Sequence, residues 1–301
     1  MEPPVTVTDP RAASGGRLDL IKSYIALTKP RIIELLLITT VPAMVVARAG
    51  WPGTWLVVAT LIGGTLSAGG ANALNSYHDR DIDEVMRRTS RRPLPNHRVD
   101  PGKARIFGWA LGASGFVWLW AFTNLAAASL SAAALLFYVF VYTQILKRTT
   151  AQNIVIGGAA GAAPVLVGWA AVTGSLATPA WVLFAIVFAW TPPHFWALAL
   201  RYKDDYAAAG VPMLPVVRGE TFTTRQMVIY TGVTILFSLA LIPVAGMRWL
   251  YLAGAVLSGG WFMAETVRAH FDPTRAMKVF SASTVYLSVL FAAMLVDVLV
   301  A

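Results

Sequence analysis

Cysteine is absent from this 301-residue chain, which excludes disulfides, thiolate metal centres and a cysteine nucleophile. Charge is scarce too: Asp, Glu, Lys and Arg make up only 13% of residues, while 57% are hydrophobic and the mean hydropathy is +0.62. A soluble domain is about 45–50% apolar and ~25% charged, so this is not a soluble composition. No Walker loop or strand-borne GxGxxG is present, so neither ATP nor NAD is expected as a ligand. The first thirty residues lack an apolar h-region and include Glu2, Asp9 and Asp19. They predict neither a signal peptide nor a transit peptide, but a short cytoplasmic tail.

What the chain does have is long apolar runs. Nine stand out, roughly 32–49, 54–75, 105–123, 125–145, 154–174, 179–200, 227–246, 248–267 and 279–299. Each approaches the ~20 residues that cross a hydrocarbon core, and each is too long and unbroken for a barrel strand. With no water to satisfy the backbone in lipid, helices are the remaining solution. The expected fold class is all-α: a polytopic membrane protein with nine transmembrane helices around a central cavity. A tail over 1–22 precedes a single domain over 23–301.

The net charge of +9 is unevenly distributed. With a cytoplasmic N-terminus, every Lys and Arg except Arg48 and Arg248 falls on the cytoplasmic side, and the C-terminus falls on the other. That is the positive-inside pattern, so the lipid bilayer accounts for the basic charge and no nucleic-acid partner is expected. Two long connections on that side, roughly 76–104 and 201–226, hold most of the ionisable residues, so function is expected at that face. Both close on paired prolines (Pro93/Pro95 and Pro212/Pro215), a hint of an internal repeat. Glycines crowd two spans, and the Gly157/Gly161 spacing predicts a close helix–helix contact.

Asn75, Asp79 and Asp83 stand at i, i+4 and i+8, where an apolar run meets a basic loop. On a helix each step advances only about 40°, so all three project from one stripe. An amide and two carboxylates at a membrane surface suit a hard divalent cation such as Mg²⁺. Five arginines follow (Arg87, Arg88, Arg91, Arg92 and Arg98), suited to a polyphosphate ester held through that cation. His78, Arg80 and Asp81 fall on other faces and read as salt-bridged surface positions.

Farther on, Trp190-Thr-Pro-Pro-His194-Phe-Trp196 places two prolines where they disrupt the helical ladder. His194 then reads either as a buried histidine bonded to a loosened carbonyl, or as a ligand for a metal-containing substrate or a proton acceptor. Lys147 and Arg148, at the end of the fourth span, either snorkel to headgroups or clamp a diphosphate oxygen.

These motifs resemble the UbiA superfamily of intramembrane prenyltransferases, whose hallmark is Asn-x₃-Asp-x₃-Asp. The resemblance is closest to the protohaem IX farnesyltransferase (haem O synthase) branch. Its strings recur in order: Leu27-Thr-Lys-Pro-Arg-Ile32, Asn75 to Asp83 followed by Arg88-Thr-Ser-Arg-Arg-Pro-Leu94, and Tyr142-Thr-Gln-Ile-Leu-Lys-Arg148. Then come Asn153 to Gly158, Thr191-Pro-Pro-His-Phe195 and Asp205 to Pro215. The resemblance spans about 23–299.

It implies transfer of farnesyl from farnesyl diphosphate, with addition of water, to a vinyl group of haem B in a bacterial plasma membrane. The protein partners implied are haem A synthase or terminal oxidase assembly factors. A sister activity on a quinone or chlorin precursor would share the first motif. The implied roles are Mg²⁺ binding for Asn75, Asp79 and Asp83, and phosphate contacts for Arg91, Arg92, Lys147, Arg148, Arg201 and Lys203. Tyr142 would stabilise the allylic cation and His194 would contact haem iron. The superfamily's second Asp-x₃-Asp is interrupted here, since Asp204 and Asp205 are followed by Ala208 and Ala209. Arg201, Lys203 and Asp205 form this branch's version of that loop, and a second metal cage is not expected.

Overall fold

The computed structural model describes residues 16–300, with all side chains except those of 31–37. Of the expected tail, residues 1–15 lie outside the described residues, as do the side chains of Arg31 and Ile32. The first helix, α1 (Arg17–Thr28), runs across the expected boundary at 22.

The chain then forms α2 (Pro30–Arg48), α3 (Thr54–His78), α4 (Arg80–Val85), α5 (Pro101–Phe122) and α6 (Leu125–Leu136). α6 runs through a π-helical segment, Phe137–Leu146, into a short α7 (Lys147–Thr149). After it come α8 (Asn153–Thr173), α9 (Thr178–Arg201), α10 (Lys203–Ala208), α11 (Leu214–Ala245), α12 (Trp249–Phe271) and α13 (Ala276–Leu299). Among the described residues there is no strand.

Among the described residues six helices are long and apolar enough to cross a membrane: Thr54–His78, Leu125–Thr149, Asn153–Thr173, Thr178–Arg201, Leu214–Ala245 and Pro273–Leu299. Ile38–Arg48 is a shorter apolar stretch. The expected count of nine is not reached by this measure, although α5 and α12 cover two further expected runs.

The outer surface carries large apolar side chains, including Trp120 at 58%, Leu236 at 67% and Leu257 at 74% exposure. Such a surface would aggregate in water and is ordinary against lipid. Trp51, Trp55, Trp181 and Trp249 are exposed at the bundle end opposite the long loops, matching an interfacial aromatic belt. This is a multi-pass membrane protein.

Close helix contact is made by α3 and α5. A Cβ on Gly70 would lie 2.6 Å from the Gly108 oxygen and 2.7 Å from the Gly112 nitrogen, so these backbones touch. The expected contact at Gly157/Gly161 is different in kind. Gly157 abuts the Tyr142 ring and Gly161 has nothing within 4 Å of its would-be Cβ, so this spacing opens room instead of closing a seam.

α9 continues through Pro192 and Pro193 without ending, contrary to a simple breaker reading. The Thr191 hydroxyl bonds the Val187 carbonyl at 2.8 Å, and Trp190 is tied across to α13, so surrounding contacts hold the turn.

The second long loop is also shorter than expected. α11 starts at Leu214 because Pro215, in its first turn, needs no backbone donor there, and it is kinked at Gly219 (φ 77°, ψ 176°) before running on to Ala245. The first loop instead runs Pro93–Pro95 through turns, so the suggested repeat has no local structural counterpart. Ile82 and Met86 from the first loop share one apolar core with Tyr206, Val211 and Met213 from the second. The two loops are thereby stitched over one end of the bundle.

Candidate active site

Asn75 lies in the last turn of α3, Asp79 at the junction and Asp83 in α4. The α3–α4 junction keeps helical bonding, with Asp79 N–H donating to the Asn75 carbonyl (2.9 Å) and Asp83 N–H to the Asp79 carbonyl (2.8 Å). The stripe expected from the spacing is therefore realised. All three side chains are buried and line one cavity of about 720 Å³.

The cavity head is built from both signs of charge. Arg92 Nη1 reaches both Asp83 oxygens at 2.9 Å, and Lys147 Nζ lies 2.5 Å from Asp79 Oδ2. Asn75 Nδ2 donates to the same Asp79 oxygen at 2.8 Å and to Thr143 Oγ1 at 3.0 Å. Lys29 Nζ donates to Asn75 Oδ1 at 2.5 Å. Asp79 Oδ1 is buried and has no hydrogen-bond partner among the described residues, with Arg148 Nη2 4.0 Å away. Arg88 also lines the cavity, so among the described residues cations outnumber carboxylates there and an added polyanion is favoured.

Lys29 occupies the left-handed region (φ 53°, ψ 62°) between α1 and α2, a strained conformation for a residue with a Cβ. Burial pushes its amine down to about 7, and the Arg92 charge acts in the same direction.

The π-helical segment brings in the aromatic wall. One extra residue per turn lets the Thr143 hydroxyl donate to the Tyr138 carbonyl at 2.8 Å, while Thr143 Oγ1 accepts from Asn75. Tyr138 and Tyr142 stack at 5.3 Å, 19° apart in plane, and both line the cavity.

His194 is on the cavity wall formed by α9 and α13. Its ring stacks between Trp190 (4.2 Å) and Phe280 (4.3 Å), and its Nδ1 is 2.8 Å from Ser283 Oγ.

Of the residues singled out from sequence, the cavity gathers Asn75, Asp79, Asp83, Arg92, Tyr142, Lys147 and His194. Others are placed elsewhere. Arg91 and Arg201 are exposed. Arg148 grips Asp81 with two bonds, 2.7 and 2.8 Å, holding that carboxyl down at about 2, and also donates to the His78 carbonyl at 2.8 Å. Lys203 pairs with Glu220 at 3.1 Å, and Asp205 Oδ2 accepts from the Arg88 backbone at 3.3 Å. Sequence reasoning missed Lys29, Tyr138, Thr143 and the cavity position of Arg88. Lys29 and Arg88 lay within recognised strings, which was the available signal.

Among the described residues no three His, Cys, Asp or Glu side chains cluster as a metal site. Two acids plus an amide are nonetheless hard oxygen donors, and the orphaned Asp79 Oδ1 is the kind of oxygen a divalent cation takes up. The donor set fits such an ion.

The UbiA prenyltransferase family model matches residues 36–296. The chain belongs to that family. It is 53% identical to a protoheme IX farnesyltransferase 2 of Saccharopolyspora erythraea over 97% of this chain and 91% of the relative. It is 54% identical to a protoheme IX farnesyltransferase of Clavibacter michiganensis over 92% of each. A UbiA homolog from Aeropyrum pernix superposes with TM-score 0.71 at 20% identity, over 90% of this chain and 98% of that one. Another from Archaeoglobus fulgidus, solved with GPP and Mg²⁺, gives 0.65 at 15% identity over 90% and 99%. The chain is thus a prenyltransferase-family membrane enzyme with the UbiA fold.

Proposed function

We propose that the enzyme transfers farnesyl from farnesyl diphosphate, with addition of water, to a vinyl group of haem B. The observation that carries this is one cavity with a cation-rich polar head at Asp79 and a ring-clamped histidine, His194, on its wall. The names of the relatives above favour haem over a quinone or chlorin acceptor.

Asp79, oriented by Asn75, and Asp83, held by Arg92, are the residues that would hold a divalent cation such as Mg²⁺. When bound, that ion neutralises the leaving diphosphate. Lys29, Arg92 and Lys147 bind the remaining phosphate oxygens by charge-assisted bonds, Arg92 and Lys147 exchanging their present carboxylate partners, and Lys29 its Asn75 amide oxygen, for substrate. Arg88 is placed to join them, held at the loop junction by Asp205.

As the allylic C–O bond breaks, the stacked Tyr138 and Tyr142 present ring faces to the positive charge on carbon. The vinyl terminus then forms the new C–C bond. The cation left beside the porphyrin captures water, which loses a proton, and diphosphate departs. The apolar walls keep water from the allylic cation before that bond forms. His194 contacts the haem iron and fixes the acceptor.

The enzyme would work in a bacterial plasma membrane. The N-terminus and both basic loops would be cytoplasmic and the C-terminus opposite, as the Lys/Arg asymmetry supports. Incubation of purified protein with haem B, farnesyl diphosphate and Mg²⁺ tests the reading. The extracted haem should gain one farnesyl group and one hydroxyl. Unchanged haem, with prenylation of a quinone or chlorin precursor instead, would move the enzyme to a sister activity.

A further inference from the structure

Ser283 lies wholly buried on α13 and is bonded to three groups around His194. Its hydroxyl oxygen is 2.7 Å from the Phe280 carbonyl oxygen and 2.8 Å from His194 Nδ1. Its own carbonyl accepts from the Trp190 indole N–H at 2.8 Å. Trp190 and Phe280 are the two rings that sandwich the imidazole, with interplanar angles of 22° and 27°. One residue therefore bonds the histidine, one stacking partner through its indole N–H, and the other through its carbonyl.

A serine hydroxyl has a single proton, whereas a carbonyl can only accept. With that proton donated to Phe280, the oxygen can take from His194 only an Nδ1–H. The neutral ring then carries its free lone pair on Nε2, for which no hydrogen-bond partner stands among the described residues, on a residue that lines the cavity. The stacking rings set the imidazole plane, and Ser283 decides which edge faces the bundle and which faces the substrate.

We infer that Ser283 is a positioning residue: it locks His194 in the Nδ1–H tautomer, so that Nε2 is presented to the cavity as a ligand for the acceptor's iron. This rests on the proposed iron contact of His194. Histidine ligands elsewhere are oriented in the same way by a hydrogen bond to the other ring nitrogen, and loss of that bond costs about 10–100-fold in metal affinity.

The test is a titration of the purified full-length protein with ferric haem B, without prenyl diphosphate, read by Soret absorbance and electron paramagnetic resonance. Wild type should show a histidine-ligated signature that His194→Ala abolishes. Ser283→Ala should bind haem about 10-fold more weakly, with a displaced Soret band. Ser283→Thr, which keeps the hydroxyl, should restore the band.

A Ser283→Ala signature identical to wild type, with His194→Ala still losing it, overturns the positioning role and leaves the iron contact intact. Weaker binding with an unmoved band in Ser283→Ala reduces Ser283 to packing and also overturns it. A signature that survives His194→Ala removes the iron contact itself.

Discussion

Lys147 Nζ stands 2.5 Å from Asp79 Oδ2, although the two residues are 68 positions apart, while the second oxygen of that carboxylate has no hydrogen-bond partner among the described residues. One oxygen is thus spoken for by the protein and the other is left for a ligand. Asp79→Asn should preserve the shape and the Asn75 contact but lose the anionic donor. A metal contribution of several kcal/mol predicts turnover lower by about 10²–10³-fold, with membrane insertion intact. Near-normal product formation per folded protein would remove the cation-binding role. Chelation should likewise abolish turnover, reversibly with Mg²⁺, yet hardly move the unfolding temperature, because Lys29, Arg92 and Lys147 already compensate the carboxylates.

Removing a partner of a buried ion pair is costly because the other charge is left stranded. Lys147→Met should therefore destabilise the protein by about 3 kcal/mol. Adding Asp79→Asn in the same chain should recover most of that loss. Thermal unfolding of the two single variants and the double variant measures the coupling, and simple additivity would mean that the pair contributes nothing.

Glycines with similar sequence surroundings should respond differently. Gly70→Ala drives a methyl into the α5 backbone and should cost about 1–3 kcal/mol in unfolding measurements. Gly64→Ala meets nothing within 4 Å and should leave stability unchanged. Gly157→Ala collides with the Tyr142 ring, so the expected effect is on turnover more than on folding. Equal melting temperatures for Gly70→Ala and Gly64→Ala would contradict the α3–α5 contact.

Arg148 holds the Asp81 carboxyl at about 2, below its ordinary 3.8, chiefly by hydrogen bonding. A depressed carboxyl stabilises the folded state above pH 3.8, and the stabilisation is lost as pH falls through about 2. Wild type and Asp81→Asn should therefore differ in unfolding temperature at neutral pH and converge across that acid window. A difference independent of pH would mean that the Arg148 contact does not depend on the Asp81 charge.

Much of this was legible in the chain. Helical class follows from apolar runs of bilayer length, and the Asn75/Asp79/Asp83 stripe follows from a spacing that helix geometry turns into a shared face. Less legible was the π-helical turn at Phe137–Leu146, which no local residue pattern announces, and with it the pairing of Tyr138 with Tyr142. Lys29 stands out in the chain only as a member of the Leu27–Ile32 string. Its burial against Asn75 joins positions 46 apart and depends on how α1 meets α2 and α3.

The sequence by itself determined a helical membrane enzyme with an oxygen-rich stripe beneath basic loops, because hydropathy, spacing and charge asymmetry act through local geometry. Tertiary structure alone decided which cations serve that stripe. Arg92 turns in to Asp83 while its neighbour Arg91 is exposed; Lys147 reaches Asp79 while Arg148 grips Asp81. Adjacent helical residues such as Lys147 and Arg148 point about 100° apart. Only the packing of the other helices fixes which direction is the cavity.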